Sequence, residues 1–154
     1  MKIFFDTNIV MEYILERESF QDVDKIIAAI EHNEWYCYIS SASLYTMAYT
    51  IEKYLKQEDK ESAQPRTKRQ RIAFLRQMLW NITDMFNVVG MTSIEAKQAI
   101  ENLDFDDLED SMQYETAINA KCDVLLTLNI DDFEDSDKTK IEIYTPKAFC
   151  AKYL

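Results

Sequence analysis

Glycine, histidine and proline are nearly absent from this chain: Gly90 and His32 stand alone, and proline occurs only at positions 65 and 146. With one glycine, no glycine-rich loop can cradle a phosphate chain, which excludes P-loop and dinucleotide-binding turns. With one histidine, a zinc site built on several imidazoles is impossible, and a Ser-His-Asp triad would have to pass through His32. That residue sits in EHNEW, a polar helix end, where it reads as solvated. Cys37, Cys122 and Cys150 are odd in number and scattered over three apolar segments, so they read as reduced core residues rather than a disulfide framework.

Positive charge is also short. The 28 acids outnumber 17 bases for a net charge of −11, which argues against adhesion to nucleic acid over the whole surface. Any such contact must be local. The one basic concentration is QPRTKRQRIAFLRQ, with Arg66, Lys68, Arg69, Arg71 and Arg76. A solvated helix face is the default for such a run, and contact with RNA or an acidic partner is the sharper reading. No apolar run approaches membrane-spanning length and the first ten residues hold no long apolar region, so a cytoplasmic protein with no membrane partner is expected.

What is present suffices for a core. The 154 residues are 47% hydrophobic and 12% aromatic, and one domain over 1–154 of this length buries roughly 70% of its unfolded surface. Short apolar runs recur at 3–5 (IFF), 36–39 (YCYI), 86–89 (FNVV), 123–128 (DVLLTL) and 141–144 (IEIY), with helical spacing in most gaps. That alternation predicts a parallel α/β sheet. Val23, Ile26, Ile27 and Ile30 fit one helix seam, Leu44, Met47, Ile51 and Leu55 another, and Ile72, Leu75, Met78, Leu79 and Ile82 a third. The polar stretch KQEDKESAQPRTKR separates the last two, with Pro65 expected to start the later helix. Thr92 or Ser93 is expected to cap the next, a boundary that neither Glu95 nor Glu109 fixes.

Ligands of open parallel sheets sit beyond the carboxyl ends of the strands, and FFDTN ends its apolar run in Asp6. Asp6 is therefore either a functional carboxylate or a helix cap, and Asn8 can cap the following helix and orient its neighbours. A second acid set lies in ENLDFDDLEDSMQYETAINAKCD. On a helix, Asp110, Tyr114 and Ala117 stack on one face and Asp107, Ser111 and Ile118 beside them, with Glu109, Gln113 and Thr116 on another side. Asp107 and Asp110 then project from the packing face, although acids at this place also suit a helix N-terminus. A third set, Asn129, Asp131 and Asp132, follows the next strand in LLTLNIDDFEDSD, where Phe133 can anchor a simple turn. Carboxylates from three segments converging on one sheet edge repel one another unless protons or a cation compensate. Oxygen-only ligation suits Mg²⁺ or Mn²⁺.

These segments, in this order, resemble the PIN domain family of metal-dependent ribonucleases, which includes the toxins of VapBC-type toxin–antitoxin pairs. FFDTNIVMEYILER resembles its opening strand, DFDDLEDSMQYETAINAKCDVLLTLN its acidic helix and fourth strand, NIDDF the loop beyond, and IYTPKAF its closing strand and terminal helix. The resemblance implies a three-layer α/β/α sandwich with a five-stranded parallel sheet, and a Mg²⁺ or Mn²⁺ site acting on RNA phosphodiesters. It implies Asp6, Asp110 and Asp132 as catalytic acids and metal ligands, with Asp107 an accessory ligand. Asn129 occupies a place where the family often has aspartate, and Asn8 and Ser40 match supporting polar residues. Many members carry an acid on the helix after the second strand, where this chain has Thr46; Glu52, six residues on, lies about 240° around the helix and does not substitute. An RNA substrate, an antitoxin partner and a homodimer are what the resemblance implies. Two rival readings stay open: a PIN-like module of weak activity that binds RNA or protein, and another carboxylate-based metal hydrolase such as a small-molecule phosphatase.

Overall fold

The computed structural model describes all residues 1–154. Five strands, β1 (Lys2–Phe5), β2 (Tyr36–Ser40), β3 (Asn87–Val89), β4 (Val124–Leu126) and β5 (Glu142–Tyr144), fall on the five apolar runs. All pair in parallel, in the order β3-β2-β1-β4-β5. Six helices lie between the first four strands, α1 (Thr7–Ile14), α2 (Phe20–His32), α3 (Ser41–Glu61), α4 (Lys68–Met85), α5 (Ser93–Glu101) and α6 (Leu108–Asn119), and a seventh, α7 (Pro146–Tyr153), follows β5.

β1 takes the centre because Ile3, Phe4 and Phe5 leave it no polar face, and all three are fully buried. The two-residue period of a strand divides it between two cores. Ile3 and Phe5 pack with Val10, Ile26, Met47, Ile51 and Phe149 beneath α1, α2, α3 and α7. Phe4 packs on the opposite side with Leu125, Phe133 and, from α6, Tyr114 and Ala117. α5 lies against α6 and completes the second outer layer. The arrangement is the expected three-layer α/β/α sandwich. Cys37 and Cys122 are buried and Cys150 partly so, and all three are free thiols, as expected.

One helix start differs from the sequence expectation, and a second is met with one addition. α4 does not begin at Pro65. Thr67 caps it: its Oγ1 accepts from the Gln70 N–H at 3.2 Å, and the Gln70 side chain accepts from the Thr67 N–H at 2.8 Å. This reciprocal box satisfies two backbone donors, which a proline start cannot match. Thr92 caps α5, and Glu95 closes a second such box by accepting from the Thr92 N–H at 2.7 Å, so Glu95 does fix that boundary.

The scarcity of glycine shows at helix ends. Glu16, Glu34 and Lys121, just past α1, α2 and α6, take left-handed backbone conformations with φ of 46°, 52° and 55°. Behind each, a long backbone bond closes the last turn: Arg17 N–H to Glu12 O, Trp35 N–H to Ile30 O and Cys122 N–H to Ala117 O, each at 3.0 Å. Glycine normally occupies this position because a Cβ is strained there. Lys121→Gly is expected to stabilise the protein by about 0.5–1 kcal/mol, read as a rise in denaturation midpoint.

The chain runs outward from β1 through β2 to β3, then crosses back to place β4 on the other side of β1. That reversal opens a crevice beyond the carboxyl ends of β1 and β4. Asp6 follows β1 and Thr127 follows β4, side by side.

Candidate functional site

Asp6 stands at the head of α1, 4% exposed, yet its carboxylate makes no helix-capping bond. Its Oδ2 instead accepts from the Thr127 hydroxyl at 2.8 Å, and its backbone N–H donates to Leu126 O at 3.0 Å. Asn8 does not cap α1 either. It bridges to the end of β4, donating from Nδ2 to Thr127 Oγ1 at 3.5 Å and accepting from the Leu128 N–H at 3.4 Å. Asn8 therefore orients the neighbourhood of Asp6. Thr127 was not singled out above. Its signal was a hydroxyl in the otherwise apolar run VLLTL, at a position now seen to be fully buried.

α6 supplies the second carboxylate. Asp110 is 8% exposed, while Asp107 is exposed and is the residue that caps the helix, accepting from the Glu109 N–H at 2.7 Å. The expectation that Asp107 projects from the packing face is thus corrected. It lies outside the helix proper, and the bond that opens the helix holds one of its oxygens. The stripe of Glu109, Gln113 and Thr116 also packs inward: Gln113 and Thr116 are buried, and Gln113 reaches Thr7, next to Asp6. Glu109, one turn ahead of Gln113, is itself exposed, and its charge bears on both Asp6 and Asp110.

Burial pushes the Asp110 carboxyl up to about 7, with the negative charges of Asp6, Asp107, Asp132 and Glu109 adding to it. Burial likewise raises Asp6 to about 6, against the pull of the Thr127 hydrogen bond, with Glu109 adding its charge. Acids from three distant segments therefore feel one another's charge at this crevice. None of these five carboxylates takes part in an ion pair.

The third segment is a 3₁₀ turn, Ile130–Phe133, following Asn129. Phe133 is fully buried and anchors the turn edge-on against Phe105, with ring centroids 5.4 Å apart, while Asn129, Asp131 and Asp132 stay exposed. On the far side of the crevice Ser40 is buried, and its Oγ accepts from the Ala42 N–H at 3.2 Å to cap α3. Thr46 is exposed. Glu52 is held by Lys56 at 2.8 Å, which lowers its pKa, so it does not join the acids. α3 supplies no carboxylate to the site.

The basic run divides. Arg66 pairs with Glu58 at 2.9 Å and Asp59 at 3.0 Å, and Arg71 pairs with Asp59 at 2.8 Å, clasping α3 to α4. The partner-contact expectation is corrected for these two, because a guanidinium closed on buried or half-buried acids is not free for a phosphate. Lys68 and Arg69 are exposed and lack ion-pair partners.

A divalent cation suits this donor set. Two mostly buried carboxylates with raised proton affinity and no countercharge are what such an ion would neutralise. As the side chains stand, no three carboxylates, imidazoles or thiols lie close enough together to hold one ion. Mg²⁺ needs only one or two protein carboxylates and keeps several waters, and Asp6 and Asp110 are the two buried acids at this crevice.

No curated protein matches the chain. Among solved structures, the crystal structure of VapBC2 from Rickettsia felis bound to a DNA fragment from their promoter contains a similar chain. Identity is 15%, the match covers 94% of this chain and 98% of that one, and the TM-score is 0.67. This likeness is one of fold. The family model described as PIN domain matches residues 2–131, most of the sequence and every acid discussed above except Asp132. The chain belongs to the PIN domain family.

Proposed function

We propose that this protein is a Mg²⁺- or Mn²⁺-dependent endoribonuclease that hydrolyses RNA phosphodiester bonds, the toxin of a toxin–antitoxin pair. The observation that carries the reading is the set of carboxylates Asp6, Asp107, Glu109, Asp110 and Asp132, gathered at the β1–β4 crevice without one cationic partner. When bound, the ion supplies Lewis-acid activation of water and neutralises charge on the phosphoryl oxygens. Asp6, fixed by Thr127, and Asp110 would hold it. Asn8 and Asn129 flank Thr127 and keep its hydroxyl aimed at Asp6, while Asp110 or Asp132 would take the proton that the attacking water loses. Lys68 and Arg69, with Arg76 further along α4, are the exposed and unpaired cations of the basic run that would meet the RNA backbone. An antitoxin protein and a second copy of the chain are the proposed partners, a reading supported by family membership and by the fold shared with VapBC2.

The test is cleavage of a mixed-sequence single-stranded RNA with Mn²⁺, comparing wild type with Asp6→Asn prepared identically. Cleavage by wild type alone, abolished by chelator, is the expected result. Equal cutting by both, or by neither, overturns the nuclease reading, and turnover of a phosphate monoester at a matching rate would transfer the site to a phosphatase. Retained RNA binding without cleavage would point to the binding module that the absence of an α3 acid suggests.

A further inference from the structure

Behind the acids lies a buried polar triangle that the proposed chemistry does not use. Gln113 on α6 is 3% exposed, Thr7 on α1 is 7% exposed and Ser43 on α3 is fully buried. Gln113 Nε2 donates to Thr7 Oγ1 at 2.9 Å and to Ser43 Oγ at 3.1 Å, and the Thr7 hydroxyl donates to Ser43 Oγ at 2.8 Å. The second amide atom, Gln113 Oε1, is buried with no hydrogen-bond partner.

For stability alone this is a poor arrangement. A buried acceptor without a partner costs about 1–3 kcal/mol, and an apolar side chain of the same length would fill the space without that cost. The triangle's position suggests a different use. Thr7 is the chain neighbour of Asp6, and Gln113 lies one helical turn beyond Asp110. The amide therefore joins the backbone beside one carboxylate to the helix carrying the other, and Ser43 ties both to α3. In this chain α3 brings no acid to the site, and the hydroxyl of Ser43, one turn before Thr46, is its link to that assembly.

We infer that Gln113, through Thr7 and Ser43, is a positioning residue that sets the separation of Asp6 from Asp110 and so the affinity of the site for its cation. The inference rests on the metal-site reading above. Residues that orient ligands without touching the metal change affinity by about 10–100-fold when altered, and the neutral triangle ties the chain neighbour of one carboxylate to the helix that carries the other.

The test is titration of the full chain with Mn²⁺ by calorimetry, with metal-free melting temperatures measured alongside. Gln113→Met removes the amide and the unpaired oxygen while keeping the volume. It is expected to melt no lower than wild type yet bind Mn²⁺ about tenfold more weakly. Thr7→Ser, which keeps the hydroxyl, is expected to bind as wild type does. A merely structural amide would move the melting temperature and leave affinity in place, so unchanged Mn²⁺ affinity in a folded Gln113→Met overturns the inference. Should that variant not fold, Ser43→Ala, which deletes a single acceptor, gives the same reading by the same criterion. If wild type itself binds no Mn²⁺, the metal-site reading falls and takes the inference with it, an outcome distinct from equal binding by all variants.

Discussion

Asp110→Asn is expected to melt higher than wild type at pH 8 without metal, while losing Mn²⁺-dependent cleavage by about 100-fold or more. The two effects share a cause. Burial and the surrounding acids raise the Asp110 carboxyl from 3.8 to about 7, so the folded state holds that proton more tightly than the unfolded state does. Stability therefore falls as pH rises from the unfolded value through about 7, and above it the charged form is carried at full cost. Asp6, raised to about 6, contributes in the same direction. Carboxylates with lowered values act in another window: Glu142, held near 2 chiefly by Lys152 with Tyr144 and Tyr153, lends stability above its ordinary 4.5 that is lost only on further acidification. Between pH 5 and pH 8 the site acids thus set the trend.

The metal-free wild type should lose melting temperature across that range, and Asp110→Asn should flatten the curve and stand roughly 5 °C higher at pH 8. Added Mn²⁺ should raise the wild type and leave the variant unmoved, because only a folded site that binds gains from mass action. Calorimetric melts at pH 5 and pH 8, with and without Mn²⁺, decide the matter. A variant that melts below wild type at pH 8 would show that Asp110 serves the fold rather than the site.

Phe133→Ala carries the largest expected loss of stability, about 3–5 kcal/mol, or on the order of 10 °C in melting temperature. Phe133 is fully buried in the core beneath α6, against Phe105 and beside Tyr114, whose ring lies tilted against Phe105 with centroids 5.1 Å apart. The ring also has a functional reach. It is the one buried residue of the turn that carries Asp131 and Asp132, and the following loop is tied back to it by Ser136, whose Oγ–H and N–H donate to Phe133 O at 2.7 and 3.2 Å, and to α6 by Tyr114 OH, which donates to Asp137 O at 2.8 Å. Emptying the pocket should free the turn, so cleavage should fall even at temperatures where the variant is folded. Phe133→Leu, which refills most of the volume, should recover much of both. A fall in melting temperature of less than about 3 °C would mean that the turn docks by other contacts.

The layer architecture was legible because burial on two sides leaves a direct trace: IFF and VLL carry no polar alternation, and β1 and β4 are the strands those runs became. Asp6 was legible for the same reason, as the abrupt polar end of such a run. The seams of α2, α3 and α4 followed from three- and four-residue spacing, but the starts of α4 and α5 did not follow in full, because Thr67 with Gln70 and Thr92 with Glu95 act through reciprocal side-chain bonds that hydrophobic periodicity does not register.

Sequence by itself also determined what this protein cannot be, since one glycine and one histidine remove whole classes of chemistry, and it placed acids on three segments. Only the tertiary structure decided which groups meet. Thr127 became the hydrogen-bond donor to Asp6 because β4 pairs beside β1 in a register that sets their ends level. Arg66 and Arg71 left the candidate RNA surface because α3 and α4 fold back on one another and bring Asp59 to them. Gln113 met Thr7 across 106 positions of chain. Such pairings depend on the register of strands and the angle of helices, which are settled by the packing of two cores at once and leave no local mark on the residues that they bring together.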